Sequence, residues 1–229
     1  MDNFEKAKIL FYEGLACLEQ KSFVEAERKF SESSELAPGR PPTLTNLAAA
    51  QVKLKKYKDA EKSASAALST GGQNSSNAWL NLALAKNGLS YYHEALACYD
   101  KAIQLNPNFT EAWFNKGNAL YELRRYDEAL SHQDKTIQLK PDLAEAWSNK
   151  GNSLIKLKRY DEAFAHYDRA IQLNTDLADA WCNKGHAFVD LKRYDEAITH
   201  YEKAIQLNPD MDFLFGDYLH ARMKVCSWD

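Results

Sequence analysis

The sequence is short of most features that would announce chemistry. Its 229 residues carry no excess of either charge, with 29 Lys and Arg against 32 Asp and Glu and a net charge of −3. No basic field is available to draw in phosphate backbones or anionic membranes, so neither nucleic acid nor a membrane is an expected partner. The four cysteines, Cys17, Cys98, Cys182 and Cys226, are far apart and form no Cys-x-x-Cys pair. In a chain of this length they read as reduced thiols of the cytoplasm, not as disulfide staples. The longest uncharged stretch, Ser63 to Ala85, is broken by Thr70-Gly71-Gly72-Gln73-Asn74-Ser75-Ser76, which hydrocarbon would not tolerate. Met1 to Lys6 lack the basic start and apolar run of an export signal, which again points to the cytoplasm. No nucleophile motif, phosphate loop or paired-carboxylate site stands out, so the chain is expected to be no enzyme by itself and to need no cofactor or metal.

What is present is a period. Trp79, Trp113, Trp147 and Trp181 recur every 34 residues, and the same step relates Tyr92, Tyr126, Tyr160 and Tyr194. Ala95, Ala129, Ala163 and Ala197 follow each of those tyrosines by three residues. Self-similarity at this period is the mark of a helical repeat array. One frame gives six units, 7–40, 41–75, 76–109, 110–143, 144–177 and 178–211, the second with an extra residue near Gly71-Gly72. Residues 212–229 remain as a capping helix or a junction to a further region.

Within each unit the apolar spacing is helical. Trp113, Lys116, Gly117 and Leu120 share one stripe of a first helix, while Ala129, Leu130 and Ile137 face inward from a second. The Lys116 stem is expected to cover apolar surface with its amine in water. Gly117, Gly151 and Gly185 should permit close helix contact, with the small Ala of each second helix on the other side. Tyr126-Asp127-Glu128 and its two successors place an Asp where it could cap a helix start. Pro38, Pro107, Pro141 and Pro209 should stop the second helices.

The first helices also carry a polar ladder. Asn46, Asn81, Asn115, Asn149 and Asn183 hold one repeat position, two residues after the aromatic or Leu that packs inward. Glu111, Glu145 and Asp179 stand four residues earlier on the same face, and Asn118, Asn152 and His186 three residues later. An Asn side chain offers a donor and an acceptor, so a row of them can pair with the C=O and N–H of an extended peptide without reading its sequence. Each bond is worth on the order of 0.5–1.5 kcal/mol net, so several repeats must act together. The acidic row could accept bonds from Ser, Thr, Lys or Arg. The alternative is that these amides bond to a neighbouring helix and the carboxylates are solvated surface.

The recurring Trp, Gly, Tyr, Ala, Tyr, Ala, Pro frame resembles the tetratricopeptide repeat (TPR) over roughly residues 7 to 211. That resemblance implies an all-α, right-handed superhelical solenoid of antiparallel helix pairs, whose first helices line a groove for extended peptides. The Asn ladder, with Asp179-Ala180-Trp181-Cys182-Asn183 nearest, is similar to the repeat arm of O-GlcNAc-transferase-like glycosyltransferases of the SPINDLY type. Tyr218 to Asp229 resembles the junction leading to their catalytic region. The resemblance implies a substrate-recruiting arm that holds protein.

Two other readings stay open: a scaffold that assembles through its ends with an empty groove, and a fragment of a glycosyltransferase. Phe213, Phe215, Met223 and Trp228 should leave the C-terminal end apolar and prone to self-association. His132, His166 and His200 recur at the same period, but stacked repeats hold them about 10 Å apart, too far to share a metal, so they read as exposed. His220 and Cys226 are too few ligands for a metal site. Cys182 is expected on the groove face, with Asp179 opposing its ionisation. Phe11 and Leu15 occupy the positions that chaperone-clamping adaptors give to Lys and Asn, which makes that use improbable.

Overall fold

A computed structural model describes residues 2–226. Among them the secondary structure is helical throughout, and the chain divides into two compact units, 1–123 and 124–229. The first unit holds α1 (Asn3–Glu19), α2 (Phe23–Leu36), α3 (Pro41–Lys53), α4 (Tyr57–Ser69), a 3₁₀ turn (Gly72–Asn74), α5 (Ser76–Gly88), α6 (Tyr92–Leu105) and α7 (Thr110–Glu122). The second holds α8 (Tyr126–Leu139), α9 (Ala144–Lys156), α10 (Tyr160–Leu173), α11 (Ala178–Asp190), α12 (Tyr194–Leu207) and α13 (Leu214–Val225). The fourth repeat is thus shared between the units. No described helix is long and apolar enough to cross a membrane.

Each first helix ends in a left-handed residue that is not glycine. Lys21, Lys55, Ser90, Arg124, Lys158 and Lys192 all have φ between 57° and 63°. An L-residue in this region costs roughly 1–2 kcal/mol. The cost is offset because the turn brings the next amide back to a carbonyl five residues earlier, as in Arg159 N to Leu154 O at 2.9 Å and Arg193 N to Phe188 O at 2.9 Å. The second helix begins at once. Its cap is therefore Arg125, Arg159 or Arg193, none with a side-chain capping bond. This corrects the expected Asp cap: Asp127, Asp161 and Asp195 lie inside the first turn, where they still meet the positive end of the dipole. Each arginine instead grips the Glu three residues on, with Arg159 Nε and Nη2 both 2.7 Å from Glu162.

Second helices end where the prolines require. Pro107 and Pro141 follow the cap residues Asn106 and Lys140. The carbonyls just there then accept the indole N–H of the next tryptophan: Trp113 donates to Pro107 O and Trp147 to Pro141 O at 2.9 Å, and Trp181 to Thr175 O at 3.0 Å. One bond fixes the loop and orients the ring.

The close contact between paired helices is made differently from expectation. A Cβ added at Gly151 would lie 2.6 Å from the Tyr167 ring, and one at Gly185 would lie 2.6 Å from Tyr201; Gly14 faces Phe30 in the same way at 2.7 Å. The glycine therefore admits a ring from the second helix, not the small Ala, which is buried separately. Lys116 is also corrected: its ammonium group is paired with Asp100 at 2.6 Å, and Lys150 and Lys184 pair in the same way with Asp134 at 2.6 Å and Asp168 at 2.5 Å. These pairs join each first helix to the second helix before it. Their carboxylates are more than half exposed, so each contributes under about 1 kcal/mol and acts mainly as a register mark.

α13 covers the end of the second unit with Leu214 and Ala221, which join Phe188, Tyr201 and Ala204 in one cluster. Its other face is open, with Phe213 at 88% exposure and Phe215, Leu219 and Met223 also exposed. Trp228 lies outside the described residues. Phe11 and Leu15 pack against the Phe30–Leu47 cluster, so they belong to the interior of the first unit and not to a binding face.

Gly151→Ala or Gly185→Ala is expected to cost about 1–3 kcal/mol by forcing the tyrosine ring aside. Gly216→Ala, where nothing lies within 4 Å, should instead gain roughly 0.5–1 kcal/mol from helix propensity. Urea unfolding followed by circular dichroism measures both.

Candidate peptide-binding face

The ladder asparagines are tied to their own first helix or, for Asn81 and Asn183, to the first helix of the preceding repeat. Asn46 Nδ2 donates to Pro42 O at 2.9 Å and Asn115 Nδ2 to Glu111 O at 2.8 Å, each one turn back on its own helix. Asn81 Nδ2 donates to Thr45 O of α3 at 2.9 Å, and the residue is only 7% exposed. Asn183 Nδ2 reaches Ser148 Oγ of α9 at 3.4 Å. These assignments are forced where the partner is a carbonyl, because only the amide nitrogen can donate to it. Each of these four amides uses one of its two N–H groups inside the protein, because a carbonyl one turn back, or a carbonyl or hydroxyl of the adjoining helix, lies within reach.

Asn149 is half-buried beside the Gln133 amide, which donates to the Asn149 backbone carbonyl at 3.1 Å and to Ser153 Oγ at 2.9 Å. Asn152 Oδ1 accepts from Tyr167 OH at 2.7 Å. Its acceptor is therefore turned to the protein. Asn118 is half-buried, and Glu111, Glu145 and Asp179 are exposed.

Three of these residues come together. Asn46, Asn81 and Glu111 line a cavity of about 740 Å³ on the first unit, bounded by α3, the 3₁₀ turn, α5 and the start of α7. Its apolar wall is Ala49, Val52, Leu80 and Leu84; Asn74 and Asn77 add polar rim, and Lys53 also borders it. Except for the insertion at Gly71-Gly72, no sequence signal marked these additional residues. The insertion builds the 3₁₀ turn, in which a Cβ on Gly72 would lie 2.6 Å from Ala67 O. In the second unit the structure places Asn149, Asn183, Glu145 and Asp179 along α9 and α11.

Other sequence candidates move. Cys182 is buried in the cluster beneath α13, not on a groove face, and burial with Asp217 and Asp179 nearby pushes its thiol up to about 12. Burial likewise raises Cys98 to about 11. His132, His166 and His200 are half-buried, not exposed. His132 and His200 donate Nδ1–H to Glu128 O and Glu196 O, at 2.9 and 2.8 Å. His166 and His200 lie against Trp147 and Trp181, and burial lowers the pKa of both. Among the described residues no group of three or more His, Cys, Asp or Glu is placed to hold a metal.

The Trp, Gly and Tyr frame is matched by tetratricopeptide-repeat profiles at residues 110–143, 144–176 and 178–211, and by a TPR-repeat profile at 91–123. The chain is a tetratricopeptide-repeat protein. Solved structures carry the same fold. The Cut9–Hcn1 hetero-tetramer of APC/C matches at a TM-score of 0.82 and 20% identity over 95% of this TPR chain, which spans 43% of the length of that one. Pseudomonas aeruginosa PilF matches at 0.77 and 17% identity, covering 97% and 99% of the two chains. YrrB, described as a TPR protein with an unusual peptide-binding site, matches at 0.64 and 21% identity, covering 84% and 97%. No curated protein matches the sequence.

One consequence of the TPR frame can be measured directly. Tyr99 is fully buried and its hydroxyl has no hydrogen-bond partner, because Leu84 stands where Asn152 serves Tyr167. Tyr99→Phe should cost nothing and gain up to about 1 kcal/mol, whereas Tyr167→Phe should lose about 1 kcal/mol. Thermal and urea unfolding of the two variants distinguishes them.

Proposed function

We propose that this chain is a protein-interaction module that holds an extended polypeptide against its first helices. The observation that carries the reading is the cavity in which Asn46, Asn81 and Glu111, three residues of the polar ladder, meet an apolar wall. Pockets that bind chains need such a wall, with a few fixed polar groups to set orientation. The likeness to YrrB supports the reading. Asn115, Asn149, Asn183, Asn118, Asn152, Glu145 and Asp179 are proposed to extend the contact where a longer segment is bound.

Ala49→Arg, which fills the cavity, should weaken binding of a fluorescein-labelled pool of random twelve-residue peptides by at least about tenfold. Ala165→Arg, on the exposed side of α10, should leave it unchanged. Equal affinity of both variants and the parent, at equal helix content, removes the groove reading.

The finer form of the reading is a substrate-recruiting arm of an O-GlcNAc-transferase-like enzyme, supported by the similarity of Asp179 to Asn183 and of Tyr218 to Asp229 to that family. It requires a sugar-nucleotide-binding region to be encoded after Asp229.

A second reading, self-association through the C-terminal end, is favoured by the exposed Phe213, Phe215, Leu219 and Met223. Light scattering over a concentration series should show mass rising with concentration, and Phe215→Glu with Met223→Glu should abolish the rise. A parent that remains strictly monomeric excludes this association.

A further inference from the structure

The rim of the first-unit cavity carries Lys53 as well as Glu111, and asparagines that offer donor and acceptor alike, so it favours neither sign of charge. What sets the cavity apart is its wall, and within the wall Leu84.

The position three residues after the ladder is matched along the chain with the position fifteen residues further on, in the paired second helix. In the first two repeats Leu15 goes with Phe30 and Ala49 with Ala64, neither partner having a polar side-chain atom. In the last three Asn118 goes with Gln133, Asn152 with Tyr167 and His186 with Tyr201. Polar accompanies polar: Asn152 Oδ1 accepts from Tyr167 OH at 2.7 Å, and the His186 ring lies edge-on to Tyr201 with centroids 5.4 Å apart. The third repeat breaks the match, because Leu84 goes with Tyr99, whose hydroxyl is fully buried and unpartnered. An Asn at 84, as in the fifth repeat, would supply the acceptor. Leu84 itself is only half-buried and borders the cavity beside Leu80. A side chain that strands a buried hydroxyl and hides only part of its own surface contributes little to the fold. Its contribution is apolar surface to the cavity.

Resting on the groove reading above, we infer that Leu84 is a specificity residue, and that the subsite it forms with Ala49, Val52 and Leu80 takes a large uncharged apolar side chain of the bound segment. The side chains of these four residues offer no hydrogen bond to replace the water that a polar group would give up on entering. An apolar side chain gives up none, and covering Leu84 completes the burial that the fold leaves half-made. The rim asparagines are left for the backbone of the segment.

Three labelled twelve-residue peptide pools, random except for a central leucine, asparagine or aspartate, test this by fluorescence anisotropy with the full chain. Leucine and asparagine are close in size and differ in polarity. The leucine pool should bind about fivefold or more tighter than either of the others, and Leu84→Asn should erase that margin at unchanged helix content. The fall in melting temperature caused by Leu84→Asn should be smaller in the parent, where Tyr99 gains a partner, than in a Tyr99→Phe background, by about 2 °C or more. An equal fall in both backgrounds shows that Leu84 does not strand the hydroxyl and overturns the inference. A leucine margin that survives Leu84→Asn overturns it as well. Asparagine or aspartate pools that bind as well as leucine, and are still blocked by Ala49→Arg, overturn it and leave the groove reading standing. If no pool binds the parent better than it binds Ala49→Arg, the inference and the groove reading fall together.

Discussion

Three of the helix pairs, α1–α2, α9–α10 and α11–α12, depend on a single close contact, a first-helix glycine against a second-helix ring. Gly14 faces Phe30, Gly151 faces Tyr167 and Gly185 faces Tyr201, each with room for no further carbon. A large ring packed on bare backbone fills the space between two closely approaching helices with apolar surface. It also leaves the neighbouring positions little choice. With the glycine stripe turned to the second helix, another face of the first helix is left for the preceding repeat, and Asn81 and Asn183 reach across that seam.

That position explains how the amides are engaged within the structure. On an isolated helix an Asn would present both ends to solvent. Here Asn81 lies under the adjoining helix and gives its nitrogen to Thr45, while Asn46 and Asn115 give theirs to their own helices. One N–H of each of these amides is thus used to hold the array together.

Much of this was legible in the sequence. The period, the helical stripes and the proline stops are local signals, and residues such as Pro107 and Pro141 act within one or two positions of themselves. The ion pairs were not legible, because Lys150 and Asp134 lie on different helices and only packing brings them together. Nor was the Asp cap ruled out, since a lysine in left-handed conformation at 158 is not something composition announces. The cavity was least visible of all. It arises where the second and third repeats depart from the frame, at Ala49, Leu84 and the inserted turn, and a departure from a pattern carries no sign of its purpose.

The position three residues after the ladder shows why that departure matters. It reads Ala49, Leu84, Asn118, Asn152 and His186 in successive repeats. In the fifth repeat Asn152 serves the buried hydroxyl of Tyr167. In the third, Leu84 serves the cavity instead, and the hydroxyl of Tyr99 is left without a partner. A buried hydroxyl in that state costs on the order of 1–3 kcal/mol, a large fraction of what a domain has to spare. The second repeat escapes the conflict because Ala64 replaces the tyrosine, so Ala49 has no hydroxyl to satisfy. An apolar cavity wall is therefore available without loss in one repeat and at a definite loss in the next, and the cavity that spans both lies where stability alone would not have put it.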